Sequence, residues 1–185
     1  SYIQASDSQV VSEFGDLGLI QLLVKQGLGA LQALPKDLKS EGAMAETIEN
    51  NVRKIILDET PVNPKYYERM SELLDALIRQ RRENAIEYQE YLKKMEKLAR
   101  QVVVTSQSNY PETLNTPARR ALFDNLGGSE QAALLVDKAV RETKKEGWIG
   151  NRFKAREIAN AVREVAPDYN VGEIMELLKN QREYQ

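Results

Sequence analysis

The stretch "PKYYERMSELLDALIRQRRENAIEYQEYLKKMEKLARQVV", residues 64 to 103, decides the fold. Its only Gly or Pro is the proline that opens it. As one helix, at about 1.5 Å per residue, it would span ~60 Å, more than the width of a small domain. Its apolar positions repeat by sevens. Met70, Leu77, Tyr91 and Leu98 form one row, and Tyr67, Leu74, Tyr88, Met95 and Val102 form another. That repeat is the seam of a coiled-coil-like packing. The seam breaks at "LIRQRRENA", residues 77 to 85, where Arg81 and Asn84 occupy positions that call for apolar side chains. One helix crossing a polar gap and two helices meeting as a hairpin at 79–84 both satisfy the pattern. With no Gly or Pro between 65 and 104, the expectation is one continuous helix. Arg81 and Asn84 are then the candidate polar register positions along it.

The arginines of this stretch do not make one basic face. Residues on a helix step by about 100°, so Arg79 and Arg82 lie side by side while Arg81 turns toward the seam. Asp75 stands four residues before Arg79 and Glu83 four after it. Glu90 with Lys94 and Glu96 with Arg100 repeat that spacing. Residues 61 to 100 carry a net charge of only +2. The pattern describes a solvated, self-paired strut better than a grip on nucleic acid, which requires a cluster of one sign.

Outward from this stretch the chain reads as helix throughout. Residues 8 to 33 carry apolar positions mostly three or four apart, interrupted by Gly15, Gly18, Gly27 and Gly29, which predicts two short helices. Residues 35 to 42 read as a loop. A helix from about Ala43 to Asp58 presents Met44, Ile48, Val52, Ile55 and Ile56 as one stripe. "PVNP" ends it, with Asn63 as N-cap and Pro64 as first residue of the next helix. Beyond the long stretch, residues 105 to 117 have the polar, Pro-containing composition of a linker. Thr116 and Pro117 open a helix to about Leu126, and Ser129 caps one that stops at Gly147. "GWIGN" is a turn, and a helix over about 155–165 follows. Asn170 with Glu173 then gives a capping-box-like start to a last helix. No alternating strand pattern and no internal repeat is present.

The predicted fold class is all-α, organised around one long helix at about 64–103 with shorter helices packed on both ends. The predicted segments are N-terminal helices at 1–60, a long helix or helical hairpin at 61–104, a linker at 105–116 and a C-terminal helical subdomain at 117–185.

Composition narrows the chemistry. The chain has 185 residues with no cysteine and no histidine. That removes disulfides, thiolate chemistry, the commonest general base and the commonest zinc ligand. Paired carboxylates are abundant, yet none is placed by a motif, and the phosphate-loop and zincin signatures are absent. The formal charge is −2, which is not that of a globally basic nucleic-acid binder. No apolar run approaches the ~20 residues that span a bilayer. No signal-peptide pattern opens the chain, and it lacks an initiator methionine. The expectation is a piece of a soluble cytoplasmic protein.

Charge is segregated along the chain. Residues 138 to 163, "KAVRETKKEGWIGNRFKAREIANAVR", carry a net +5, whereas residues 1 to 60 carry −4 and 164 to 185 carry −3. Lys144, Lys145, Arg152, Lys154, Arg156 and Arg163, around Trp148 and Phe153, are the candidate contact residues for duplex DNA or an acidic protein face. The plainer reading is a core Trp and Phe beneath a basic surface.

Four runs resemble the C-terminal region of the R subunit of type I restriction enzymes. They are "AETIENNVRKIILDETPVNPKYYERMSELLDALI" at 45–78, "NTPARRALFDNL" at 115–126, "KEGWIGNRFKAREI" at 145–158 and "ELLKNQREY" at 176–184. That subunit is an ATP-dependent translocase and endonuclease with a nuclease domain, two motor domains and a helical C-terminal region. The resemblance covers only the last of these. It implies a chain with no catalytic residue, cofactor or metal site and no small-molecule substrate, ATP and Mg being bound by motor domains elsewhere in the parent. It implies as partners the methyltransferase and specificity subunits of the complex, with duplex DNA as the alternative, in the cytoplasm of a bacterium or archaeon.

Overall fold

The computed structural model describes residues 18–33, 40–105 and 109–185. Among them the chain forms eight α-helices and no strand. In chain order these are α1 (Gly18–Gln26), α2 (Glu41–Glu59), α3 (Pro64–Arg82), α4 (Tyr88–Val103), α5 (Pro117–Asn125), α6 (Glu130–Thr143), α7 (Arg152–Val165) and α8 (Val171–Lys179). Short 3-10 turns occupy Gly27–Ala33 and Arg182–Tyr184. The all-α class read from the sequence is the observed one. Of the two short helices expected over 8–33, α1 and the 3-10 turn lie among the described residues, and 8–17 lie outside them. Residues 35–39 of the expected loop and 106–108 of the expected linker also lie outside, as does residue 34.

The continuous helix expected over 64–103 is corrected to two helices joined by a turn at 83–87. Asn84 makes the break. Its φ is +51°, the only positive φ at a non-glycine residue among those described. The Ala85 amide donates to the Gln80 carbonyl at 2.9 Å and the Asn84 amide to the Arg81 carbonyl at 3.1 Å. Those two bonds are the Schellman closure, which needs a left-handed residue just past the helix end. Asn adopts that conformation more readily than other residues with a side chain. Replacing Asn84 with valine should therefore destabilise the hairpin by about 1–2 kcal/mol, while glycine should be neutral or mildly stabilising. Urea titrations of the two variants followed by helical circular dichroism would separate them, and equal midpoints would refute the assignment.

The chain divides into two compact units, 1–58 with 67–108, and 59–66 with 109–185. In the first, α3 and α4 run antiparallel. Tyr67 near the start of α3 donates to the Val102 carbonyl near the end of α4 at 3.3 Å. Arg81, at the other end of α3, lies over the Tyr91 ring near the start of α4. The heptad rows supply the seam, since Tyr67, Met70, Leu74, Tyr91, Met95, Leu98 and Val102 are all buried. Helix α2 adds Ile48, Val52 and Ile56 to this core.

In the second unit, α5 to α8 enclose Leu122, Val136, Val140, Ile158, Val162 and Leu178. Three N-caps form as expected from the sequence. The side chains of Thr116, Ser129 and Asn170 accept from backbone amides of the first turns of α5, α6 and α8. Asn63 accepts from the Tyr66 amide at 3.3 Å and so caps α3. Its amide group also donates to Asp124 at 2.8 Å, which fixes the 59–66 turn against α5.

Candidate functional site

The turn before α7 sets the geometry of the basic segment. Gly147 and Gly150 have φ of +67° and +84°, a backbone that side chains rarely adopt. Between them Trp148 is 1% exposed, and its indole N–H donates to the Tyr184 carbonyl at 2.6 Å. The ring is a core anchor rather than a stacking platform. Asn151 then caps α7, accepting from the amides of Phe153 and Lys154 at 3.1 Å each. The helix consequently starts at Arg152, three residues before the expected Ala155, and its first turn carries Arg152, Phe153 and Lys154.

Phe153 corrects the plainer reading of the sequence. It is 84% exposed, the most exposed large apolar side chain described, and so does not belong to the core. The signal was helical phase. Ile158, Val162 and Val165 mark the inward side of α7, and Phe153 stands more than about 100° from that stripe.

The predicted basic residues fall into two groups. Arg152, Arg156 and Arg163 lie within about 40° of one another around α7. Among the described residues Arg152 and Arg156 have no ion-pair partner, and Arg163 donates to Asn160 at 2.9 Å. The others are engaged locally or lie off this face. Lys145 pairs with Glu157 at 2.7 Å. Lys154 donates to the Glu146 carbonyl at 2.6 Å. Lys144 is the half-buried C-cap of α6. The structure thus concentrates free positive charge at the first two turns of α7, beside the exposed ring.

That face borders a groove of about 670 Å³ between α7 and α8, with Ala155, Ala159 and Met175 as its apolar floor and Arg152, Arg156 and Lys179 on its rim. None of its lining residues is acidic. A second recess of similar size, beside the end of α5, mixes Lys65 with Glu173 and Glu176 and has no single sign of charge.

Each unit also holds a buried carboxylate gripped by arginine and tyrosine, which sequence reading had not paired. Asp137, 2% exposed, accepts from Arg119 at 2.8 Å, Arg141 at 2.9 Å and the Tyr184 hydroxyl at 2.6 Å. Glu49, 4% exposed, accepts from Arg81 Nε at 2.8 Å and Nη2 at 3.1 Å, and from the Tyr91 hydroxyl at 2.7 Å. Arg81 therefore fills its register position through a fork on Glu49, and Asn84 serves the turn rather than the seam. These carboxylates are saturated with donors, an arrangement that holds elements together.

Among the described residues no group of Asp or Glu is arranged to hold a metal ion, and no helix is long and apolar enough to cross a membrane. Comparison with protein-family models, with curated proteins and with solved structures gave no match.

Proposed function

We propose that this chain is a helical docking module that holds an ATP-driven DNA motor of the type I restriction class against the methyltransferase and specificity subunits of its complex. The four runs that resemble the R subunit support the class, and the all-α architecture suits a passive adaptor. The observation that carries the docking role is the coincidence of Phe153 with Arg152 and Arg156 on one exposed face. Protein interfaces centre on aromatic and arginine anchors seated in the partner's pockets. A surface that contacts phosphates alone makes no contact that requires a phenyl ring. In this reading the work is mechanical, and nucleotide, Mg and nuclease chemistry belong to other segments of the parent.

Purified chain should associate with the methyltransferase–specificity complex at micromolar concentration or tighter, as measured by surface plasmon resonance. Phe153→Ala should weaken that association by about tenfold or more. No association at micromolar concentration would overturn the reading.

The unpaired state of Arg152 and Arg156 favours one second reading, sequence-independent contact with duplex DNA. If Lys144, Lys145, Arg152, Lys154 and Arg156 each neutralised one phosphate, log K would fall with log salt at a slope of roughly −4 to −5. A flat salt response would remove it.

A further inference from the structure

We infer that the groove between α7 and α8 receives an acidic amphipathic helix, with one large apolar side chain of the partner on the alanine floor and its carboxylates on the arginine rim. This rests on the docking reading and adds the chemistry of the occupant. The first argument is charge. Arg152, Arg156 and Lys179 stand on the rim and no lining residue is acidic. Lys179 alone among the three has a carboxylate neighbour, Glu176, at 2.5 Å. A partner carrying Asp or Glu therefore completes the rim, whereas a basic or neutral one leaves two guanidinium groups facing it without a counter-charge.

The second argument is shape. Ala155 and Ala159 lie one turn apart on α7, and neither projects beyond its β-carbon. A second helix can approach closely there. Met175, unbranched and polarizable, adapts to whichever side chain enters. Phe153 stands at the end of this floor as a clamp on the partner's flank. Phosphates would find cations on the rim but no donors on the floor, so the apolar half of the groove would stay empty against a nucleic-acid backbone.

The test uses the isotope-labelled full chain and three probes, read by backbone amide shifts. One is a synthetic peptide of about four helical turns with leucines at i and i+4 flanked by glutamates. The second is its scrambled isomer, and the third a mixed-sequence duplex DNA. The ordered peptide should shift the amides of residues 152–159 and 175–179 and bind about tenfold more tightly than the scrambled one. Phe153→Ala and Arg156→Glu, both at exposed positions, should each weaken it by about tenfold. Lys138→Glu, at an exposed position of α6, should change it by less than about twofold. Shifts mapping elsewhere, equal affinity for the scrambled isomer, or perturbation of the groove by DNA alone would overturn the inference. Association with the methyltransferase complex without peptide binding would sink the occupant and keep the docking module. Peptide binding without that association would do the reverse.

Discussion

Alanine at position 137 should destabilise the C-terminal unit by about 3–5 kcal/mol, the cost of breaking a buried ion pair from one side. Asp137 is 2% exposed and accepts from three side chains. Arg119 and Arg141 come from α5 and α6, and Tyr184 from the C-terminal 3-10 turn. Removing the carboxylate leaves the Tyr184 hydroxyl buried without an acceptor. It also strips Arg119 of its ion pair, while Arg141 keeps Glu183 at 2.8 Å. The chain's one tryptophan, Trp148, donates to the Tyr184 carbonyl, so its fluorescence reports the affected turn directly. Urea unfolding followed by that signal measures the loss, and a change under about 1 kcal/mol would show that the network is dispensable.

The same cluster has a pH signature. Burial pushes the Asp137 carboxyl up, but the hydrogen bonds from Tyr184 and Arg119 and the charge of Arg141 outweigh burial and hold it below the usual aspartate range. A carboxyl lowered in the folded state stabilises the fold above its unfolded value, near 4. That contribution is lost as pH falls through the folded value. Tyr184 is shifted the other way. Burial first, then its hydrogen bond to Asp137, raises the phenol well above the usual tyrosine range. Its contribution is complete below about pH 10 and is lost as pH rises beyond that. Asp137→Ala should therefore flatten the acid limb of the stability profile. An acid limb unchanged in the variant would assign acid sensitivity to other carboxylates.

The sequence disclosed most of this architecture because its punctuation is chemical. Thr116–Pro117, Ser129 and Asn170 announce helix starts through side-chain acceptors, and all three act as caps. The heptad rows marked the buried face of α3 and α4 except beside the turn, where Leu77 and Tyr88 are only half-buried. What the pattern left open was the turn between them, since a hairpin at 79–84 satisfies the heptad rows as well as the expected continuous helix does. Asn84 is a weaker signal for left-handed backbone than glycine, and a search for Gly and Pro passes over it. The arginines were legible as charge, and as pairing only where the partner stands four residues away, as Glu96 does from Arg100. Glu49 meets Arg81 across a separation of 32 residues, and no local spacing encodes such a contact. Phe153 was misplaced for a related reason. Its neighbour Trp148 is core, and only the phase of α7, fixed by a cap at Asn151, leaves Phe153 in solvent.

Breaking the N-terminal clamp should give the second large effect, and its pattern across a mutant series reveals what the clamp is for. Arg81→Met should cost about 3 kcal/mol, the low end for a buried pair, because Arg81 keeps 20% of its side chain in solvent while Glu49 keeps 5%. Glu49→Leu alone should cost a similar amount, since it strands both the guanidinium and the Tyr91 hydroxyl. The triple variant Glu49→Leu, Arg81→Met, Tyr91→Phe removes every polar member at once. It should return to within about 1 kcal/mol of the parent, because apolar residues of similar volume replace a buried ion pair at little net cost. What the triple variant should lose is uniqueness. Glu49 ties α2 to both arms of the α3–α4 hairpin through groups of fixed geometry, and an all-apolar seam tolerates slippage by a turn. Amide spectra of the triple variant should accordingly show broadened or doubled resonances along α3 and α4 despite near-parental stability. If the triple variant is instead as unstable as Arg81→Met, the clamp supplies stability rather than register. If its spectra are sharp and single, the heptad rows alone are enough to set the hairpin.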